Sequence, residues 1–91
     1  MMVVGWGQCI EDEEVELWGE CYNIQETTDL HLQSSGLTGE IPESIGNLIN
    51  LVYLDLGWNE LYGHIPESVG NLSNLIYLSV LSNQLTGEIP P

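Results

Sequence analysis

Hydrophobic residues along this chain recur in short blocks. In "LVYLDLGWNEL" the alternation of Leu54, Asp55 and Leu56 is the period-two pattern of a short strand with one buried face. The block returns at a constant interval of 24 residues: Leu48, Leu51, Leu54, Leu56, Asn59, Leu61, Gly63, Ile65 and Pro66 fall on Leu72, Leu75, Leu78, Val80, Asn83, Leu85, Gly87, Ile89 and Pro90. In the other direction they fall on Ile24, Thr27, Leu30, Leu32, Ser35, Leu37, Gly39, Ile41 and Pro42. The chain is an internal repeat, and each copy supplies one strand.

Between the strands runs a different kind of sequence. "GEIPESIGN" and "GHIPESVGN" carry no long amphipathic period. Pro42 and Pro66 fix φ and remove a donor, and Gly39, Gly46, Gly63 and Gly70 permit tight bends. An irregular return path is expected, with a short 3₁₀ turn at "ESIGN" and "ESVGN" and with Ile41, Ile45, Ile65 and Val69 facing inward. Asn59 and Asn83 stand where the chain leaves its strand. An inward amide there both donates to and accepts from backbone groups that burial would otherwise leave unpaired, so stacked copies form a structural ladder. One copy cannot enclose its own leucines, whereas neighbours stacked about 4.8 Å apart by strand pairing can.

The run Leu51, Leu54, Leu56, Asn59, Leu61 satisfies L-x-x-L-x-L-x-x-N-x-L, and "LTGEIPESIGNLINLVYLDL" resembles the plant-type, 24-residue extracellular leucine-rich repeat of receptor-like kinase ectodomains and polygalacturonase-inhibiting proteins. The resemblance covers residues 24–91. It implies an α/β-type repeat solenoid, with short parallel β-strands on the concave face and irregular or 3₁₀ return segments. An N-terminal cap is expected at residues 1–23, followed by copies at 24–47, 48–71 and an incomplete 72–91. "LWGECYN" looks like the join between that family's cap and its first repeat, one residue short, which makes Cys9 the partner of Cys21. The family binds protein, peptide or saccharide partners through the concave strands. Carried onto this chain, the outward columns are Asp29, Tyr53 and Tyr77; His31, Asp55 and Ser79; Gln33, Gly57 and Leu81; and Ser34, Trp58 and Ser82. Tyrosine and tryptophan anchor interfaces most often, so Tyr53, Trp58 and Tyr77 are the first candidates for ligand contact, with Asp55, His31 and Ser79 beside them.

Charge narrows the partners. The chain has no Lys or Arg against 14 Asp and Glu, a formal charge of −14, so it has no electrostatic route to nucleic acid or to an anionic membrane surface. The same field favours cationic partners or divalent ions. "MMVVGWGQCI" has no positive n-region, and its apolar run is too short for a signal peptide or a membrane span. Taken on their own, the two cysteines read either as one disulfide, which implies an oxidising compartment, or as two buried or free thiols; they are too few for a four-ligand zinc site. An extracellular or cell-surface location follows from the resemblance alone.

No catalytic constellation, cofactor motif or metal loop is present in the sequence. "EDEEVE", Glu11 to Glu16, lacks the converging turn of a calcium loop and reads as a solvated acidic face of the cap. His31 and Asp55 share a column and are expected to pair. No serine lies in a nucleophile elbow, and there is no phosphate loop or dinucleotide fingerprint. Asn71, Leu72 and Ser73 form an acceptor sequon. Thr27 and Ser35 replace the leucine and asparagine of later copies, as contact with a cap would allow. The third copy stops four residues short at "IPP", so a fragment of a longer array is expected, with neighbouring repeats as further partners. The function expected is a non-catalytic recognition module for a protein, peptide or saccharide. The alternatives are the ectodomain fragment of a receptor-like kinase, a structural spacer without a ligand, and, by family analogy, an inhibitor of a cell-wall enzyme.

Overall fold

In the computed structural model of the chain, the structure describes residues 9–87. The opening "MMVVGWGQ", and Ile89 and Pro90 with which the third copy was expected to close, lie outside the described residues.

The blocks of alternating residues form the expected parallel sheet. Strands β3 (Asp29–His31), β5 (Tyr53–Asp55) and β7 (Tyr77–Ser79) pair in the order β3-β5-β7. The register repeats the sequence interval: Asp29 faces Tyr53, which faces Tyr77, and Leu30 faces Leu54, which faces Leu78. A slip by one residue would turn the leucines to solvent, so burial locks the pairing. The "ESIGN" and "ESVGN" segments are 3₁₀ turns at Glu43–Asn47 and Glu67–Asn71, each entered from an extended proline, Pro42 or Pro66.

The return path is more regular than its sequence suggests. Thr38–Gly39 (β4), Glu60–His64 (β6) and Gln84–Thr86 (β8) form a second parallel sheet in the order β4-β6-β8. The sequence assigns one strand to each copy and an irregular path to "GEIPESIGN" and "GHIPESVGN"; these second strands lie mostly just ahead of that stretch. Leu37, Leu61 and Leu85 turn inward beside Thr38, Tyr62 and Thr86, and each copy lies close enough to the next for backbone groups to pair across the gap. Gly39, Gly63 and Gly87 take φ of 82°, 79° and 82°, a left-handed bend that turns the chain into the proline segment.

The cap is an antiparallel hairpin of β1 (Glu14–Leu17) and β2 (Glu20–Asn23). Trp18 and Gly19 both have positive φ, 49° and 87°, as a two-residue type I′ turn requires. The acidic run therefore divides. Glu11, Asp12 and Glu13 form an exposed turn, while Glu14 and Glu16 belong to β1 and alternate with Val15 and Leu17, which enter the core. Cys9 and Cys21 are joined by a disulfide that ties the turn to β2. The Trp18 indole Nε1 donates to the Thr38 carbonyl at 3.2 Å, so the cap is bonded to the first copy.

The core runs from Val15 and Leu17 through Leu30, Ile41, Ile45, Leu48, Leu51, Leu54, Leu56, Leu61, Ile65 and Val69 to Leu72. In the middle copy Leu51, Leu54, Leu56 and Leu61 are fully buried, whereas Leu75, Leu78, Val80 and Leu85 of the third are partly buried and pack against that cluster. Each copy's leucines are sealed by the copies on either side.

The asparagines hold the turns. Asn59 Nδ2 donates to the carbonyls of Leu32, Leu56 and Gly57 at 3.0, 2.9 and 3.1 Å, and its Oδ1 accepts from Ser35 N–H and Leu37 N–H, both at 3.0 Å. Asn83 does the same one copy later: Oδ1 accepts from Leu61 N–H at 3.0 Å, and Nδ2 donates to Leu56 O at 2.8 Å and Val80 O at 3.2 Å. A second, unanticipated asparagine pair works on the other side of each copy, where Asn50 Nδ2 donates to Gln25 O (2.9 Å) and Asn74 Nδ2 to Ile49 O (3.3 Å). The 3₁₀ turns stack just as tightly. A Cβ on Gly46 would lie 2.4 Å from Ser68 Cβ and 2.7 Å from its carbonyl oxygen, and Ser68 Oγ donates to Glu43 O at 2.7 Å.

Two substitutions test these contacts. Asn59→Ala is expected to cost about 3 kcal/mol of unfolding free energy by urea titration, because an orphaned buried donor or acceptor costs roughly 1–3 kcal/mol. Asn59→Asp should rescue little at neutral pH, since a carboxylate cannot donate to the three carbonyls. A loss well under 1 kcal/mol for the alanine variant would remove the ladder from the account. Gly46→Ala is expected to cost about 1–3 kcal/mol by overpacking. Ser68→Gly in the same chain should relieve only part of that, because the Ser68 backbone oxygen stays in the way; full recovery would mean that the side chain alone sets the spacing.

Candidate ligand-binding face

A strand in this register sends every second residue outward, so the first sheet presents a grid whose rows are strands and whose columns are equivalent positions in successive copies. The structure brings the candidates together as that grid predicts. Asp29, Tyr53 and Tyr77 form one column, and His31, Asp55 and Ser79 the next.

Aromatic contacts organise the face. The Tyr53 and Tyr77 rings stack with centroids 4.4 Å apart and planes within 6°, and the His31 ring lies 4.5 Å from Tyr53, tilted by 33°. Stacking across neighbouring strands is a stabilising cross-strand contact and holds the three rings in one ladder. The expected pairing of His31 with Asp55 does not form. Asp55 Oδ1 instead accepts from Gly57 N–H at 3.0 Å, while His31 leans on the Tyr53 ring with Nε2 3.9 Å from Asp29 Oδ2. The backbone two residues beyond Asp55 supplies a donor at fixed distance, whereas a pair across strands needs both side chains to turn toward each other.

Trp58 stands apart from the tyrosines. It follows β5 on the turn, with the residue 66% exposed and its backbone N–H donating to the Leu81 carbonyl at 2.9 Å. Its φ is +58°, matching Ser34 at +54° and Ser82 at +58° in the neighbouring copies. A bulky residue in this left-handed conformation is held there against its own preference. Leu81, one copy on, is also half exposed, so the sheet ends in an apolar pair separated from the aromatic ladder by the buried Gly57. A Cβ on Gly57 would meet Asp55 Oδ1 at 3.2 Å.

The face is electrostatically one-sided. Around Tyr53, desolvation by its neighbours comes first, then the Tyr77 phenol, Asp55 and Asp29; together they raise the Tyr53 pKa above the ordinary 10.0. Tyr22 in the cap is raised too, by burial and by Glu20. In the cap, Cys9, Glu14 and Cys21 bring ligand-type atoms within 4.8 Å of one another, but the sulfurs are bonded to each other and offer no thiolate to a metal.

Comparison with known proteins places this geometry. The family model described as Leucine Rich Repeat matches residues 27–48 and 50–72. Among solved structures the chain is similar to a TDR receptor, at 53% identity and TM-score 0.59 over 60% of this chain and 10% of that one. It is also similar to PEPR1 in its structure with AtPEP1, at 49% identity and TM-score 0.58 over 60% of this chain and 8% of that one. The chain thus matches a tenth or less of the length of these two proteins. No curated protein matches it.

The raised phenol has a measurable consequence. Its neutral form is the one the folded chain favours, so the stabilisation is complete below the unfolded value near 10.0 and is lost as pH rises through the higher folded value. In an alkaline absorbance titration, the difference between the native chain and Tyr53→Phe should show a phenol ionising above 10.0, moved part of the way back by Asp55→Asn. Ionisation at or below the ordinary value would contradict the crowding seen around this ring.

Proposed function

Since the chain belongs to the leucine-rich repeat family, in its plant-type 24-residue class, we propose that its concave sheet is a non-catalytic recognition face for a peptide or an extended segment of a protein. The observation that carries this reading is the outward grid itself: a preformed aromatic ladder of His31, Tyr53 and Tyr77, together with a strained and largely exposed Trp58, on a rigid sheet whose opposite face is all leucine. Rigid aromatic side chains supply contact area at low entropic cost, which is why they dominate binding energy where they occur.

The similarity to a TDR receptor, and to PEPR1 solved with AtPEP1, supports a receptor-type setting. In that setting the chain is part of a longer repeat array outside the cell, and any chemistry lies in other parts of the protein. The disulfide between Cys9 and Cys21 agrees with an oxidising compartment.

A peptide display library screened against the 91-residue chain tests the reading. Peptides it selects should bind Tyr53→Ala and Trp58→Ala roughly tenfold or more weakly, as truncation of an anchor residue does, with unchanged circular dichroism. A selected partner indifferent to both substitutions would move recognition off this face. A chain that selects nothing would support the spacer reading.

A further inference from the structure

Within the recognition face proposed above, one corner is built for a particular group. On β3 and β5 the side chains of Asp29, His31, Tyr53 and Asp55 occupy the four corners of one cell of the grid. His31 and Tyr53 are in ring contact along one diagonal. The two carboxylates therefore lie on the other diagonal, on opposite sides of an aromatic pair.

Nothing in the chain neutralises them. There is no Lys or Arg in the sequence, and the nearest charge partner is His31, 3.9 Å from Asp29 and cationic only when protonated. Asp55 is held by the bond from Gly57 N–H to Oδ1, and its second oxygen accepts nothing among the described residues. Asp29 is the register partner of Tyr53 across the strand pair and Asp55 lies two residues beyond Tyr53 on β5, so the Tyr53 phenol has a carboxylate on two sides. The rings are fixed by the Tyr53–Tyr77 stack, so the cell is preorganised in a way that the solvated turn of Glu11, Asp12 and Glu13 is not.

We infer that the cell bounded by Asp29, His31, Tyr53 and Asp55 is a subsite for an arginine side chain of the bound peptide. The chemistry favours a guanidinium over an ammonium. Its planar fork of donors can reach two carboxylates at once, and it sheds water more readily than lysine. Charge complementarity on this face is local as well as global, and the subsite gives an extended peptide a fixed register on the grid.

The inference rests on the recognition-face reading but can fail without it. The probe is a blocked Gly-Arg-Gly peptide, titrated into the isotopically labelled chain at low and moderate salt, with lysine and citrulline counterparts. Expected are shifts centred on Tyr53 and Asp55, and binding about fivefold weaker for citrulline, an amount that ordinary charge pairing supplies. The lysine peptide should lie between them, and added salt should weaken the arginine peptide most. Asp29→Asn with Asp55→Asn should bring arginine down to the citrulline level. Glu11→Gln with Glu13→Gln, which removes the same charge from the cap, should leave affinity within about twofold. Equal binding of arginine and citrulline on this face would overturn the subsite and leave the recognition face standing. Equal loss from the cap pair, or shifts absent from this cell, would show that only the diffuse negative field attracts the peptide.

Discussion

The structure depends on a single constraint: every copy must leave its strand by the same turn, and that turn buries backbone groups that no helix or sheet can pair. Asn59 and Asn83 satisfy them. An amide offers two N–H donors and an acceptor oxygen on one short side chain, and at Asn59 it uses both across two copies, from Leu32 and Ser35 of the first to Leu56 and Gly57 of the second. With the turns fixed, the strands before them keep their register and the short strands after them come within pairing distance. Both sheets and the leucine core follow from that alignment.

Energetically this is a one-dimensional solid. Contacts run from each copy to its neighbours, and burial of a leucine depends on whether a copy lies on each side. The middle copy shows the full effect, with Leu51, Leu54, Leu56 and Leu61 sealed, and the cap plays the part of a neighbour for the first copy by inserting Val15 and Leu17. The hairpin does this with a different architecture, antiparallel where the array is parallel. Its disulfide joins the acidic turn to β2, and the Trp18 bond to Thr38 ties it to the first copy, where Ser35 stands in the place of the ladder asparagine. Ser35 keeps its backbone N–H in the network, donating to Asn59, and its hydroxyl donates to the Gln33 carbonyl at 3.3 Å, but it reaches no neighbouring copy through its side chain.

How legible all this was in the sequence differs by element. The first sheet was readable residue by residue, because a 24-residue repeat with alternating leucines fixes both the strand and its register, and the grid of Tyr53, Tyr77, Asp55 and Ser79 came with it. The 3₁₀ turns were readable from proline and glycine. The second sheet was not. Its strands are short, and glycines at 39, 63 and 87 interrupt or follow them, so no window held a usable period; only proximity of the copies makes them pair. The hairpin of the cap was masked in the same way by an acidic run, whose Val15 and Leu17 look incidental until they are seen in the core. Side-chain choices within the grid were beyond reach as well. That His31 meets Tyr53 and not Asp55 depends on a backbone donor at Gly57, a competition that a column of letters does not display.

Leu54 and Tyr53 are neighbours in the chain, yet one is sealed and the other faces the open side, and the same holds for Leu30 beside His31 and Asp29. Structural and recognition information are therefore interleaved on alternate letters of one message, and they meet only where outward side chains stack on one another or, as Asp55 does, bond the backbone. A duplicated copy inherits its buried leucines intact and can rewrite its outward pair without touching them. Tyr-Asp in the second copy and Tyr-Ser in the third already differ in one letter from each other, and Asp-His in the first differs from both. Diversity on such a surface is combinatorial, and it accumulates without endangering the scaffold that displays it.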